Sequence, residues 1–285
     1  MPAKIYFTDD DDLFDICRDN VFKAVFTKNT PASKGALSKF VSALIGREVS
    51  IITIIANEPP IENTQDRQIR YDINCRAESG ELINVEMCFN PSSFKPARFE
   101  YYADKLFINQ DIKGENKTYS DLKMAFQITI LANERFFKDE VFFHTFEYYD
   151  PVNQIPLGGQ CRIITLELSK LEKIAKKPPE EMSLQEQWAV YFRYLTDKSK
   201  RIIINEIMEH EEGIAMASEA LMTISKEEAE RFRLISEEKY ELDRRSDLAY
   251  ATEKGMEKGM QKIVEMLKNG KSREEIIKDY ENGNY

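Results

Sequence analysis

Asp72 and Glu86 are the residues around which chemistry can be built, and both lie in YDINCRAESGELINVEMCFN, residues 71–90. Apolar and polar residues alternate on either side of ESGE, so the stretch reads as two short strands joined by a tight turn. In the first strand, residues 69–77, Ile69, Tyr71, Ile73, Cys75 and Ala77 point one way and Arg70, Asp72, Asn74 and Arg76 the other. In the second, Ile83, Val85, Met87 and Phe89 share one face and Asn84, Glu86 and Cys88 the other. The hairpin thus puts both acids on the less apolar face. Their being cross-strand neighbours depends on a register that sequence fixes only loosely. Two close carboxylates, with a backbone oxygen near residue 87 and waters, would complete an octahedral magnesium site. A metal held there lowers the pKa of a bound water and neutralises charge growing on a scissile phosphate, the requirements of phosphodiester hydrolysis. The plain competitor is a pair of solvent-facing acids on a sheet.

Several elements must position these acids. DNVFKAVF, residues 19–26, places Val21, Phe22, Val25 and Phe26 on one helical face, with Asp19 as its expected N-cap. ASKGALSKFVSALI, residues 32–45, repeats the helical period, and Gly46 is the expected stop. VSIITIIA, residues 49–56, is a β-branched strand ended by EPP. After the hairpin, PARFEYYADKLFINQ, residues 96–110, reads as a helix with Pro96 in its first turn and Ser92 or Ser93 as cap. LKMAFQITILA (122–132) reads as a buried strand, and HTFEYYD (144–150) and CRIITLELSKL (161–171) as further strands. Helix, three strands, helix and strand in that order predict an α/β sandwich on a mixed sheet.

The texture changes after KKPPEE, residues 176–181, and nearly everything downstream is helical. We expect a soft boundary near 175, with residues 1–175 carrying the sheet and residues 176–285 forming a helical region for packing or oligomerisation. Trp188 anchors that region by the size of its apolar surface. SREE from Ser272 to Glu275 is a capping box. Gly255 and Gly259, in GMEKG, suit a close helix crossing or a weak helix.

Composition narrows the setting. The net charge of -10 gives no support for nucleic-acid binding, though a local basic surface or bound metal can offset repulsion. Cys17, Cys75, Cys88 and Cys161 form no close pair and only two histidines exist, so a structural zinc site is not expected and core thiols are. MPAKIYFTDDDD has no long apolar run, and no window of 18 apolar residues occurs, so neither a signal peptide nor a membrane span is expected and the chain reads as cytoplasmic.

RDNVFKAVF (18–26), the YDI around Asp72, INVEMC (83–88), RFEYYADKLF (98–107) and TLELSK (165–170) together resemble the Rpn-type recombination-promoting nucleases, also described as transposases, of the PD-(D/E)XK nuclease superfamily. KGMEKGM, residues 254–260, is similar to the glycine-spaced tails of that family. The resemblance implies a PD-(D/E)XK nuclease-like αβββαβ core with a mixed central sheet, plus the helical C-terminal region. It implies a magnesium-dependent DNA endonuclease, with Mn2+ as a substitute metal and DNA as partner. Asp72 would match the first metal-binding acid and Glu86 the second, and Asp19 could help hold the metal or a water. Cys88 departs from the pattern, where lysine is usual and glutamine common in this family. A thiol is a weak donor and a thiolate would oppose a phosphate, so the plain reading of Cys88 is a small half-buried residue.

The following helix offers compensation. Arg98, Tyr102 and Lys105 are spaced to share one face. Arg98 could clamp a phosphate bidentately and Lys105 could supply the missing ammonium; otherwise both are solvated helix charges. Gln127, inside an apolar strand, needs a partner and is either a satisfied core amide or turned to the site. Glu167 suits a structural salt bridge. The alternative to an active endonuclease linked to DNA recombination is an inactive nuclease-fold protein that binds DNA or protein as an assembly module. A homo-oligomer would form through the helical region. No recognition helix, zinc finger or basic arm specifies a DNA end.

Overall fold

A computed structural model of the chain describes residues 6–55, 71–89, 96–110, 112 and 117–281, with backbone alone at 228–232, 238–251 and 279–281. Ile69, Arg70, the EPP turn and the Ser92 or Ser93 cap lie outside the described residues. Two compact units divide the chain, Met1–Arg231 and Phe232–Tyr285.

The first unit opens with α1 (Asp19–Thr27), which buries Val21, Phe22, Val25 and Phe26. The N-cap is Arg18, without a side-chain capping bond, and Asp19 is the first helical residue rather than the cap. Its carboxylate still suits the positive helix end, but it is turned to a lysine one turn on. In α2 (Pro31–Ile45), Thr30 caps by accepting from the Ser33 amide, and Gly46 ends the helix at φ 80°, where a Cβ would be strained.

The sheet runs β1-β2-β3-β4-β8-β5, from β1 (Ile51–Ile55), β2 (Ile73–Ala77), β3 (Leu82–Cys88), β4 (Ala125–Leu131), β5 (Phe143–Phe146) and β8 (Cys161–Glu167). Between the last two, β6 (Tyr149–Asp150) and β7 (Ile155–Pro156) form a separate two-stranded ribbon. The expected strand over 144–150 is therefore two short strands in different sheets. The β2–β3 hairpin turns at Gly80, φ 91°. Strands β3, β4 and β8 pair in parallel and the outer pairs are antiparallel, so the sheet is mixed. Parallel neighbours need a crossover, which α3 (Pro96–Ile108) supplies between β3 and β4.

Helix α3 lies on the face carrying Leu82, Cys88, Ala125 and Leu131, into which it buries Phe99 and Leu106. The alternate row of β3, Ile83, Val85 and Met87, is buried as well, so β3 is covered on both faces. Such a strand reads as near-continuous apolar sequence, and the less apolar face expected of the hairpin is not a solvent face. Helix α1 packs against β2 and β3, and α2 against β1.

The change of composition near 175 does not separate compact units. Helices α4 (Leu184–Tyr194), α5 (Arg201–His210) and α6 (Glu212–Lys226) belong to the first unit. The cause is aromatic: Trp188 meets Phe40 at 4.9 Å and Phe26 at 6.2 Å between ring centres, and Phe192 lies 5.2 Å from Phe40. Each buried aromatic ring is worth on the order of 2 kcal/mol, so α4 completes the core that α1 and α2 begin. The second unit holds most of α7 (Glu228–Lys268) and α8 (Arg273–Glu281). The expected capping box closes α8, with the Ser272 amide donating to Glu275 and the Glu275 amide to Ser272. Nothing lies within 4 Å of where a Cβ would stand at Gly255 or Gly259, so neither marks a close helix crossing among the described residues. No helix among the described residues is long and apolar enough to cross a membrane.

Candidate active site

The β2–β3 register pairs Ile73 with Val85 and Asn74 with Asn84. Asp72 stands at a bend just before β2, outside the paired register. Tyr71 packs with Leu82 and Leu106 on the α3 face instead of sharing the row of Ile73, so the expected alternation stops at Ile73. The Asp72 carboxylate still lies near enough to Glu86 to raise the Glu86 pKa. The Asp72 carboxylate is fixed by the Met87 amide, which donates to Oδ2 at 3.0 Å. Glu86 is only 3% exposed. The solvent-facing account of the two acids is therefore excluded for Glu86.

Glu86 is held from below by a chain of amides and a hydroxyl. Asn84 Nδ2 donates to Glu86 Oε1 at 3.2 Å and to Gln127 Oε1 at 2.8 Å, and Gln127 Nε2 donates to Thr129 Oγ1 at 3.1 Å. The register explains the chain, because Asn84 stands beside Gln127 and Glu86 beside Thr129 on β4. Gln127 is thus a satisfied core amide and, through Asn84, a support of the site. Asn84 Oδ1 is buried with no hydrogen-bond partner among the described residues.

Two cations border the acids from two helices. Arg98, in the first turn of α3, brings its guanidinium to 3.9 Å from Glu86 Oε2 and over the Tyr102 ring at 4.9 Å. Lys23, on α1, places Nζ 3.0 Å from Asp72 Oδ1 and 3.0 Å from the Asp19 carboxylate. The Arg18 guanidinium sits over the Phe89 ring at 4.1 Å, which ties the start of α1 to the end of β3.

The electrostatics follow from burial. Burial, and then the Asp19 charge, pushes the Asp72 carboxyl above the usual range, against the opposing pull of Lys23 and the Met87 amide. Burial, and then Asp72, pushes Glu86 up as well, against Arg98 and Asn84. For Lys23, burial works against the ammonium, but Asp72 and then Asp19 outweigh it and its pKa is raised. A buried carboxylate with a half-buried one near it is relieved by a bound cation.

Cys88 is 2% exposed and packs with Phe99 and Leu131 under α3. It is a core residue, more deeply buried than the half-buried side chain expected. The other three cysteines are buried too, as anticipated. Among the described residues, Lys105 forms no ion pair with either acid. It lies seven residues beyond Arg98, about 10 Å farther along the α3 axis, in the last turn. Glu167 takes Lys170 Nζ at 2.6 Å and the Phe136 amide at 2.8 Å, a buried structural pair as expected.

Among the described residues, no three Asp, Glu, His or Cys side chains converge as a metal cage. Asp19 is joined to Asp72 through Lys23 instead of being gathered with Asp72 and Glu86. The donor chemistry nevertheless fits a hard divalent cation: a buried carboxylate on Glu86 and a half-buried one on Asp72 that raises the Glu86 pKa, with a buried amide oxygen on Asn84, whose Nδ2 bonds Glu86.

Sequence reasoning missed Lys23 and Asn84. The signal for Lys23 was its position four residues after Asp19, an acid-to-lysine spacing that also describes any solvated helix face. The signal for Asn84 was its place two residues before Glu86 on the same strand face.

A family model described as PD-(D/E)XK nuclease family transposase matches residues 16–251. No curated protein and no solved structure matched the chain.

Proposed function

We propose a function from the premise that this chain belongs to the PD-(D/E)XK nuclease transposase family, whose match spans the whole sheet and every residue of the site. The mixed sheet with α1 and α3 agrees with the fold of that family, and the family supports a nuclease-type function. PD-(D/E)XK nucleases generally use divalent metal ions. Our reading is a magnesium-dependent DNA endonuclease, with manganese as a substitute, acting in DNA rearrangement.

The observation that carries the reading is the buried Glu86 carboxylate with half-buried Asp72 near it, whose charge raises the Glu86 pKa and favours a cation. Asp72 and Glu86 would hold the metal, which when bound supplies Lewis acidity and neutralises charge on the scissile phosphate. The Met87 amide fixes Asp72 and Asn84 fixes Glu86, so neither carboxylate needs reorienting when substrate arrives. Arg98 presents a half-exposed guanidinium beside Glu86, positioned to take a phosphate oxygen. In the reaction a water oxygen bonds to phosphorus and gives up a proton to solvent, one P–O ester bond breaks, and the departing oxygen takes a proton from solvent.

The test is cleavage of supercoiled plasmid with magnesium and with manganese, beside Asp72→Ala and Glu86→Ala proteins of confirmed fold. Cleavage by the unmodified chain alone is expected. Cleavage unaffected by both substitutions would overturn the site.

A second reading, a binding and assembly module without cleavage, draws on Cys88 and on the exposed row Met256, Met260, Ile263, Val264 and Leu267 of α7, which suits a second copy of the chain. It predicts a concentration-dependent oligomer and no cleavage under any metal condition.

A further inference from the structure

We infer that Lys23 is a catalytic residue of this site: its ammonium meets the scissile phosphate from α1, and the Asp19 carboxylate holds it there. The inference rests on the hydrolase reading above and adds to it a residue outside the strand hairpin.

Hydrolysis of a phosphodiester concentrates negative charge on the non-bridging oxygens, in a chain whose own net charge is -10. The site lacks a cation on β3, because Cys88 is sealed between Phe99 and Leu131. Lys105 is two helical turns away from Arg98. Arg98 approaches on the Glu86 side. On the Asp72 side the cation is Lys23, 3.0 Å from Asp72 Oδ1.

The placement is specific. An ammonium has three donors, and the Lys23 contacts are to two carboxylates, Asp19 and Asp72. Its side chain is 27% exposed, so the group borders the site without being sealed in it. Asp19 is largely exposed and sits one turn before Lys23 on the same face, which suits a tether better than a ligand. Arg18, stacked on Phe89, fixes the start of α1 against the strand that bears Glu86. A phosphate entering the site would therefore meet Lys23 from one helix and Arg98 from the other. Asp19 acts through Lys23 and is a positioning residue.

The experiment uses the full chain and its Lys23→Gln, Lys23→Arg, Asp19→Asn and Asp72→Asn variants. Plasmid cleavage in manganese gives kcat and KM. Anisotropy of a labelled duplex in calcium, across a salt series, gives the salt slope of binding, and a thermal melt reports folding. Lys23→Gln should lower kcat about 100-fold or more, as removal of one charge-stabilising donor does. It should also reduce the salt slope by about one, the signature of a lost phosphate contact. Lys23→Arg should restore part of kcat. Asp19→Asn should lower kcat about tenfold with KM unchanged, as loss of a tether rather than of the contact itself would.

Cleavage by Lys23→Gln within threefold of the unmodified chain overturns the inference while leaving the hydrolase reading intact. So does an unchanged salt slope with kcat falling only in step with the folded fraction. If Lys23→Gln does not fold, Lys23→Arg and Asp19→Asn decide, and parity of both with the unmodified chain overturns it. An unmodified chain that neither cleaves nor binds the duplex removes the hydrolase reading, and this inference with it.

Discussion

Replacing Glu86 by glutamine should make the protein more stable and disable its metal site at the same time. The carboxyl is buried, with the Asp72 charge near it, and its pKa stands above the ordinary carboxylate range. In the unfolded chain it titrates near the usual value of about 4.3. Between that value and the raised folded one, the folded state binds more protons than the unfolded state, so stability falls as pH rises through the window. Each unit of difference costs about 1.4 kcal/mol once both states are ionised. Glu86→Gln preserves the shape and the oxygen that accepts from Asn84, and it removes the charge. It forfeits the attraction to Arg98, but at 3.9 Å and with a half-exposed guanidinium that contact is worth less than about 1 kcal/mol. The net expectation at pH 8 without metal is a gain of about 1–3 kcal/mol. For a unit of this size that is a melting temperature higher by roughly 2–10 °C. The gain should shrink toward pH 4, where the unmodified carboxyl is protonated in the folded state. Manganese should reverse the order, because a ligand at 100 times its Kd adds about 2.7 kcal/mol to the protein that binds it and nothing to the one that does not. Thermal unfolding from pH 4 to 8, in chelator and in manganese, measures all of this. A Glu86→Gln protein no more stable at pH 8 in chelator, with the same pH slope as the unmodified chain, would refute the argument that these carboxylates are held apart from their preferred protonation state.

Three other perturbations probe the supporting structure. Lys170→Met should cost about 3–5 kcal/mol in urea unfolding, because it strands the buried Glu167 carboxylate without its partner. Trp188→Ala should cost about 3–5 kcal/mol and lower the stability of sheet and helices together, since Trp188 packs with Phe26 and Phe40; separate unfolding of residues 176–226 would contradict the shared core. Cys88→Lys should destabilise by about 1–3 kcal/mol through overpacking against Phe99 and Leu131 and should not raise cleavage; a more active, equally stable protein would show that residue 88 reaches the phosphate after all.

What the sequence by itself determined is the set of features that short-range physics controls. Strict alternation around ESGE fixes the hairpin and sets Asn74 opposite Asn84 and Ile73 opposite Val85, because successive strand side chains must point to opposite sides. The spacing of Val21, Phe22, Val25 and Phe26 fixes the buried face of α1, the αL conformation at Gly46 ends α2, and Ser272 with Glu275 starts α8. Each depends on residues within a turn or a strand repeat of one another. Tertiary structure decided what those rules leave open. Alternation could not tell a solvated polar face from one covered by α3, so Glu86 and Cys88 lie deeper than the pattern implied. The composition break near 175 could not foresee that Trp188 and Phe192 would find Phe26 and Phe40. Above all, the charge on Lys23 is indistinguishable in sequence from any solvated helix lysine. Only the packing of α1 on β2 and β3 brings it to Asp72, because contacts distant in sequence are chosen by burial and shape rather than by local spacing.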